Sequence, residues 1–416
     1  MWGLAVAVYV TAVFHRNALA VASLLAERRF GVGPSTLAGL VAVQLGIYAV
    51  MQIPSGLMTD RFGPRRMLAL AAVLMGGGEL VFAAAGGPGL ALVGRALVGL
   101  GDAVTFLNVL RLVQNWFPVQ RYGLLAALTS LMGGAGQLAS TVPLHVGLEH
   151  FGWGPTFAAT ALVTVVAAVP MWFVLHDRPP STPGVPVAPS GRALHPPDAT
   201  PVREVLAEVM HRPGTWQGMW AHFALTGAFA VFSALWGYPF LVRAEHYSAA
   251  RASTALGLVV VASIAAAPLV GALMTRHPRG RVPMVYAVAA AICGSWVAAL
   301  AVGAGHVPSW LVVVILVSTG VGAPASAAAF DLAREANRPQ RGGAATGVVN
   351  IGGFSAAVVC DLAIGALLAT VGHGGHRPSG FDWPMACIPA MVAVGMAGFW
   401  WCGRRAAPWT EPAPAR

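Results

Sequence analysis

The chain has 416 residues, of which 57% are hydrophobic and 10% charged, with a mean hydropathy of +0.69. Soluble globular proteins carry about 25% charged residues, so a chain this apolar needs lipid as its solvent, which excludes a soluble enzyme or a soluble domain on an anchor. The net charge of +10 raises the question of nucleic acid, but every basic residue is an arginine and most sit in short links between apolar stretches. Topology signals in a membrane protein have that distribution, and no nucleic-acid partner is expected.

The apolar stretches fall at about 2–25, 36–58, 67–86, 90–114, 122–144 and 155–175, and then at 216–240, 252–274, 283–304, 309–330, 344–370 and 385–402. At roughly 20 residues per span this reads as about twelve transmembrane helices, six and six. The expected organisation is a first six-helix half at 1–176, a linker at 177–215, a second half at 216–403 and a tail at 404–416. The linker opens proline-rich, and such a composition cannot pack a core. It closes with Val202, Val205, Leu206, Val209 and Met210 at helical spacing, which predicts a short amphipathic helix on the membrane surface. Cys293, Cys360, Cys387 and Cys402 lie in or beside apolar stretches without metal-ligand spacing and read as packing residues.

Arginine placement sets the orientation. Arg61, Arg65, Arg66 and Arg121 lie in even-numbered links of the first half, and Arg276, Arg279, Arg281, Arg334, Arg338 and Arg341 in those of the second. The other side holds Arg28, Arg29, Arg243, Arg251 and Arg377. The positive-inside rule therefore predicts a multi-pass protein of the cell membrane with both termini cytoplasmic. Arginine without lysine, with abundant Ala and Gly, fits a GC-rich bacterial genome. Segments 56–61 and 117–123 are echoed near 273–276 and 339–343, so the halves read as a repeat. Repeated halves place a solute site at their midplane junction in many secondary transporters.

The link between spans two and three reads Gly56-Leu57-Met58-Thr59-Asp60-Arg61-Phe62-Gly63-Pro64-Arg65-Arg66. This resembles the Major Facilitator Superfamily signature G-x-L-x-D-R-x-G-R-R, in the same link of a six-plus-six chain. Physically, Gly56 permits close helix packing, Gly63 a tight turn, and Asp60 can accept from a helix N-terminus. The resemblance implies that Asp60 and Arg61, with Arg65 and Arg66 at the rim, latch the halves in the outward-open state. No acid precedes Arg276, so the latch of the second half is degenerate. Gly94-Arg95 through Gly99, Gly101 and Asp102 resembles the family's second motif, often linked to proton coupling. Gly133-Gly134-Ala135-Gly136 lacks the Gly-Pro pair of drug antiporters.

Ionisable groups inside a span are costly and face a cavity or a partner. His15 and Arg16 fall near the middle of span one and Asp102 about halfway down span four. The resemblance implies that spans one, four, seven and ten line the cavity. The cluster Phe14-His15-Arg16-Asn17 loosely resembles the first-span arginine of organic-phosphate and related anion transporters. Arg16 presents a fork of donors suited to carboxylate or phosphate, with His15 as its hydrogen-bond or proton partner; the alternative is an Arg16–Asp102 pair that only holds helices together. Asp102 is the best acid for proton coupling. Arg95 lies on the same face of the helix, giving an expected Arg95–Asp102–Arg16 network. Arg111 is assigned to the rim. Glu79 and Asp361, single acids in spans three and eleven, are expected to snorkel or pair locally.

Span seven offers Trp220, His222, Phe223, Thr226 and Trp236 as cavity residues, and span ten Ser318 and Thr319, without a buried charge. That departs from organic-phosphate transporters, which use an arginine in span seven, and from nitrate transporters, with arginines in spans two and eight. Asn350-Ile351-Gly352-Gly353 only faintly resembles the nitrate signature. His373 and His376 sit in a glycine-rich loop and are not expected to hold a metal. No phosphate-binding loop or catalytic constellation is present, so neither cofactor, ATP hydrolysis nor enzymatic activity is expected. The expectation is a monomer in the bilayer moving a small anion by alternating access, with Thr226 contributing and protons as coupling ion. The alternatives are efflux of lipophilic drugs and a non-transporting sensor on the same fold.

Overall fold

The computed structural model describes residues 1–177, 201–302, 307–372 and 381–409. The first half comprises α1 (Trp2–Phe30), α2 (Pro34–Val50), α3 (Gln52–Ala84), α4 (Pro88–Trp116), α5 (Val119–Ala139), α6 (Val142–Phe151) and α7 (Trp153–Val174). After α8 (Val202–Met210), the second half runs through α9 (Pro213–Val231), α10 (Gly237–Pro239), α11 (Ala249–Arg276), α12 (Arg281–Val302) and α13 (Ser309–Ala325). It ends with α14 (Ala327–Glu335), α15 (Gly342–Gly372), α16 (Asp382–Met385) and α17 (Cys387–Gly403). Among the described residues, nine helices are long and apolar enough to cross a membrane; two shorter apolar ones cover Pro34–Val50 and Trp153–Val169.

Local chemistry explains where helices stop and turn. Proline at the first turn opens α2, α4 and α9, where its missing N–H costs nothing. The seventh span is α9 continued by π-helical segments Phe232–Trp236 and Phe240–Ala244 flanking α10; such turns often mark functional positions. Buried faces are rich in Ala and Gly, the small residues that let membrane helices approach closely in place of hydrophobic drive. A Cβ at Gly99 would lie 2.7 Å from the Gln44 carbonyl oxygen, so α4 sits directly on α2.

Met1, the stretch after α17 and the described even-numbered links lie at one end of the bundle, called here the terminus side. There α8 lies across the C-terminal half, with Glu208 2.8 Å from Arg341 and 3.3 Å from Arg338, and Val209 buried beneath it. Arg281 joins Asp331 at 3.5 Å and also pairs with Glu335. On the far side the two halves touch. Arg243 of the seventh span reaches Glu27 of α1 at 3.2 Å, and the Ser35 hydroxyl donates to the Gly365 carbonyl at 3.1 Å. The contact line continues inward to Tyr48 against Phe354, ring centroids 4.4 Å apart, and to Asn350 donating to Gln52 at 2.8 Å.

The motif link is built as a kinked helix. Gly63 has φ 78° and ψ 157° inside α3, a conformation that disfavours any side chain. The carboxylate of Asp177 fills that kink and accepts from the Arg65 backbone N–H at 2.7 Å, an anion at a fresh helix N-terminus. The linker was expected to begin at residue 177; the structure instead docks Asp177 onto the first half. The side chain of Asp60 lies outside the described residues, as do His373, His376 and the proline-rich stretch. Gly56 makes no close approach here, since a Cβ there would meet only Leu107 at an ordinary 3.9 Å.

Candidate functional site

Arg16 and Asp102 form a two-pronged ion pair at the centre of the first half. Nε donates to Oδ2 at 2.7 Å and Nη2 to Oδ1 at 2.6 Å. Asp102 is fully buried, whereas Arg16 keeps 15% of its side chain exposed. The guanidinium is therefore the accessible face and the carboxylate its backing. Its carbon lies 4.5 Å from the Tyr48 ring centroid and 5.6 Å from that of Phe354, close enough for cation–π attraction. Tyr48 belongs to the first half and Phe354 to the second, so the arginine sits at the seam between them. The Tyr48 hydroxyl lies beside the Gln52 and Asn350 amides, which bond across the same seam. With Nε and Nη2 committed to Asp102, Nη1 has no hydrogen-bond partner among the described residues, and its two N–H donors are available to a ligand.

His15 occupies a different place from the one expected. Successive residues on a helix point about 100° apart, so His15 and Arg16 cannot serve one site. The His15 ring is fully buried, with Nε2 2.7 Å from the Thr164 hydroxyl and Nδ1 3.4 Å from Glu79. Arg95 joins this second cluster. It donates to the His15 carbonyl at 2.8 Å and to Gln44, and its Nη1 lies 3.7 Å from Glu79. The Arg95–Asp102–Arg16 network is thus divided into two. The reason is directional: side chains on a helix lean toward its N-terminus, which carries Arg95 away from Asp102. Glu79 pairs locally, as read from sequence. Its partners are His15 and Arg95.

The second half supplies polar but uncharged groups. Thr226 donates to Ser326 at 2.8 Å, tying the seventh span to the start of α14. The Gly353 N–H points at Nδ1 of His222 at 3.1 Å, and the His222 ring stands edge-on to Phe330. Ser318 lies 3.4 Å from Ser295. Trp236 is buried and donates to the Asp361 carbonyl at 3.3 Å. Asp361 neither snorkels nor pairs: it is fully buried, and neither carboxylate oxygen has a partner among the described residues. Arg111 is exposed, 3.5 Å from Gln114.

Sequence reasoning missed Tyr48, Phe354, Gln44, Thr164 and Asp177. Tyr48 and Gln44 were detectable in principle, as the two polar side chains in the interior of the largely apolar α2. The others carry no local signal, because their roles come from neighbours distant in the chain.

Two helical halves meeting beside an arginine at their junction is an arrangement found in many membrane carriers. The family model described as Major Facilitator Superfamily matches residues 4–360, and the chain belongs to that family. It is 26% identical over 171 residues to a probable sulfoacetate transporter of Cupriavidus necator, covering 41% of this chain and 40% of that protein. It is 29% identical over 182 residues to a quinolone resistance transporter of Acinetobacter baumannii, covering 42% and 41%. The matched segments thus span about two fifths of the length of these relatives. The structure of a bacterial homologue of the human lysosomal transporter Spinster, inward-facing and occupied, superposes with TM-score 0.74 at 14% identity, covering 99% of this chain and 98% of that one. The likeness establishes the shared all-helical fold of a multi-pass membrane protein.

Proposed function

We propose that the protein is a secondary transporter that moves a small organic or inorganic anion together with a proton. The observation that carries this reading is the Arg16–Asp102 fork, buried behind and exposed in front at the seam of the two halves. An incoming carboxylate, sulfonate or phosphate meets the free Nη1 edge of Arg16, beside the packed rings of Tyr48 and Phe354. Asp102 competes with that anion for the same guanidinium. A proton on Asp102 removes the competing charge, so proton and anion load together. Bound charge is then balanced, which lowers the cost of carrying it across the seam. The probable sulfoacetate transporter among the relatives supports an anionic substrate. With the terminus side cytoplasmic, as the arginine bias indicates, the far-side contacts make this the state closed toward the outside.

Efflux of lipophilic compounds is the second reading, favoured by the quinolone resistance relative and by the Tyr48–Phe354 aromatic pair. A thermal-shift screen of purified protein against small anions and lipophilic cations, wild type beside Arg16→Ala, separates the two. A ligand that binds only the folded state raises its melting temperature. Anion stabilisation that disappears in Arg16→Ala supports anion transport. Cation stabilisation that survives the substitution replaces it with efflux.

A further inference from the structure

Asp361 has no place in the site just described. It lies in α15 about 16 Å from the far-side end of that helix, at 1.5 Å per residue. Its side chain is fully buried and both carboxylate oxygens lack partners among the described residues. The face it occupies follows from its neighbours. Asn350 meets Gln52, Phe354 meets Tyr48, and Gly365 packs on Ala38 and Pro34 of α2. On a helical wheel Asp361 falls between Asn350 and Phe354, within the stripe that lies on α2. The antiparallel register of those three pairs sets Val41 and Leu45, both buried, opposite it. The carboxyl is therefore pressed into the far-side seam between the halves, against hydrocarbon.

Among the described residues, no charge near it offers compensation. The titratable side chain of α2 is Tyr48, beside Gln52 and Asn350. The seventh span brings His222, engaged by Gly353, then Tyr238, and Arg243, which is paired with Glu27. α17 brings Cys387 and α15 itself Cys360. The acids and arginines of α8 and α14 meet the opposite end of α15, where Arg334 reaches Thr346, about 22 Å along the helix from Asp361. An ionised carboxylate buried without a partner is strongly disfavoured, whereas a neutral one costs far less.

We propose that Asp361 is a proton-binding site, filled while α15 lies on α2 and emptied to far-side water when the two helices part. Protonation then favours closure of the far side and ionisation favours its opening. The carboxyl is the group that links the far-side gate to external pH, through a residue of the second half. The inference does not rest on the anion reading, since the seam closes whatever the substrate is.

The test uses the full-length protein in lipid nanodiscs, spin-labelled at exposed Thr36→Cys and Thr370→Cys on either side of the seam, with the four native cysteines replaced by alanine. Because one proton is released on opening, the ratio of open to closed populations, read from the distance distribution, rises by up to tenfold per pH unit. Asp361→Asn, which keeps the shape of the neutral group, is expected to stay closed and to lose that slope. Asp361→Glu is expected to retain it. An Asp361→Asn slope equal to wild type overturns the proposal. An independent check needs no substitution at this position: infrared spectra of the closed wild-type protein at pH 7 should contain a protonated-carboxyl band, and its absence also overturns the proposal.

Discussion

Arg16 and Asp102 lie on different helices, 86 residues apart in the chain, and meet through two hydrogen bonds of 2.7 and 2.6 Å. That single pairing gives a buried acid a permanent cation and gives the cation one open edge. It also makes both residues testable separately.

Replacing Arg16 by Lys keeps the charge and loses the fork. A lysine cannot hold Asp102 and a ligand through fixed parallel donors. We predict anion affinity falls by about tenfold to a hundredfold, the equivalent of roughly 1.5–3 kcal/mol for a charged hydrogen bond. Calorimetric titration checks this, and unchanged affinity in Arg16→Lys removes Arg16 from the binding site.

Asp102→Asn mimics the protonated acid. Counterflow of bound anion should persist, because Arg16 is then free to hold it. Uptake driven by a pH gradient should be lost. Proteoliposome assays with and without the gradient distinguish these, and gradient-driven uptake of normal size in the variant would assign coupling to another group.

Glu79 is the only carboxylate beside His15 and Arg95 among the described contacts, and both it and Arg95 are fully buried. Glu79→Gln leaves the guanidinium without its counter-charge, a loss on the order of 3–5 kcal/mol. The expected result is a clear fall in melting temperature in detergent. Adding Arg95→Gln should recover part of it, and a double-mutant cycle with no coupling between the two sites would refute the pairing.

Asp177→Ala removes the acceptor for the Arg65 N–H, a loss of about 1 kcal/mol by analogy with helix N-caps. Gly63→Ala should cost more. It adds backbone strain at φ 78° and sets a methyl 2.6 Å from the Asp177 carboxylate. Melting curves of the two variants and their combination should show that Asp177→Ala relieves part of the Gly63→Ala defect.

Much of the fold was legible in the chain because lipid imposes simple rules. Span length, arginine placement and the short motif link are local properties, and they led to a six-plus-six helical bundle without reference to any contact. The site was legible only in outline. Arg16, Asp102 and Arg95 stand out as charges in apolar helices, so their importance follows from desolvation alone. Their pairing does not. Helical spacing grouped Arg95 with Asp102, yet the lean of the side chain and the close seating of α4 on α2 gave Arg95 to Gln44, the His15 backbone and Glu79.

Sequence by itself determined the solvent, the helical class and the list of residues whose burial demands an explanation, because the cost of placing a charge or a bare backbone in hydrocarbon depends on residue type and not on partners. Tertiary structure alone decided which explanation each charge received: a fork for Asp102, a cluster for Glu79, and for Asp361 no partner among the described residues. Those outcomes depend on the rotation and register of packed helices, set by many small contacts between segments far apart in the chain.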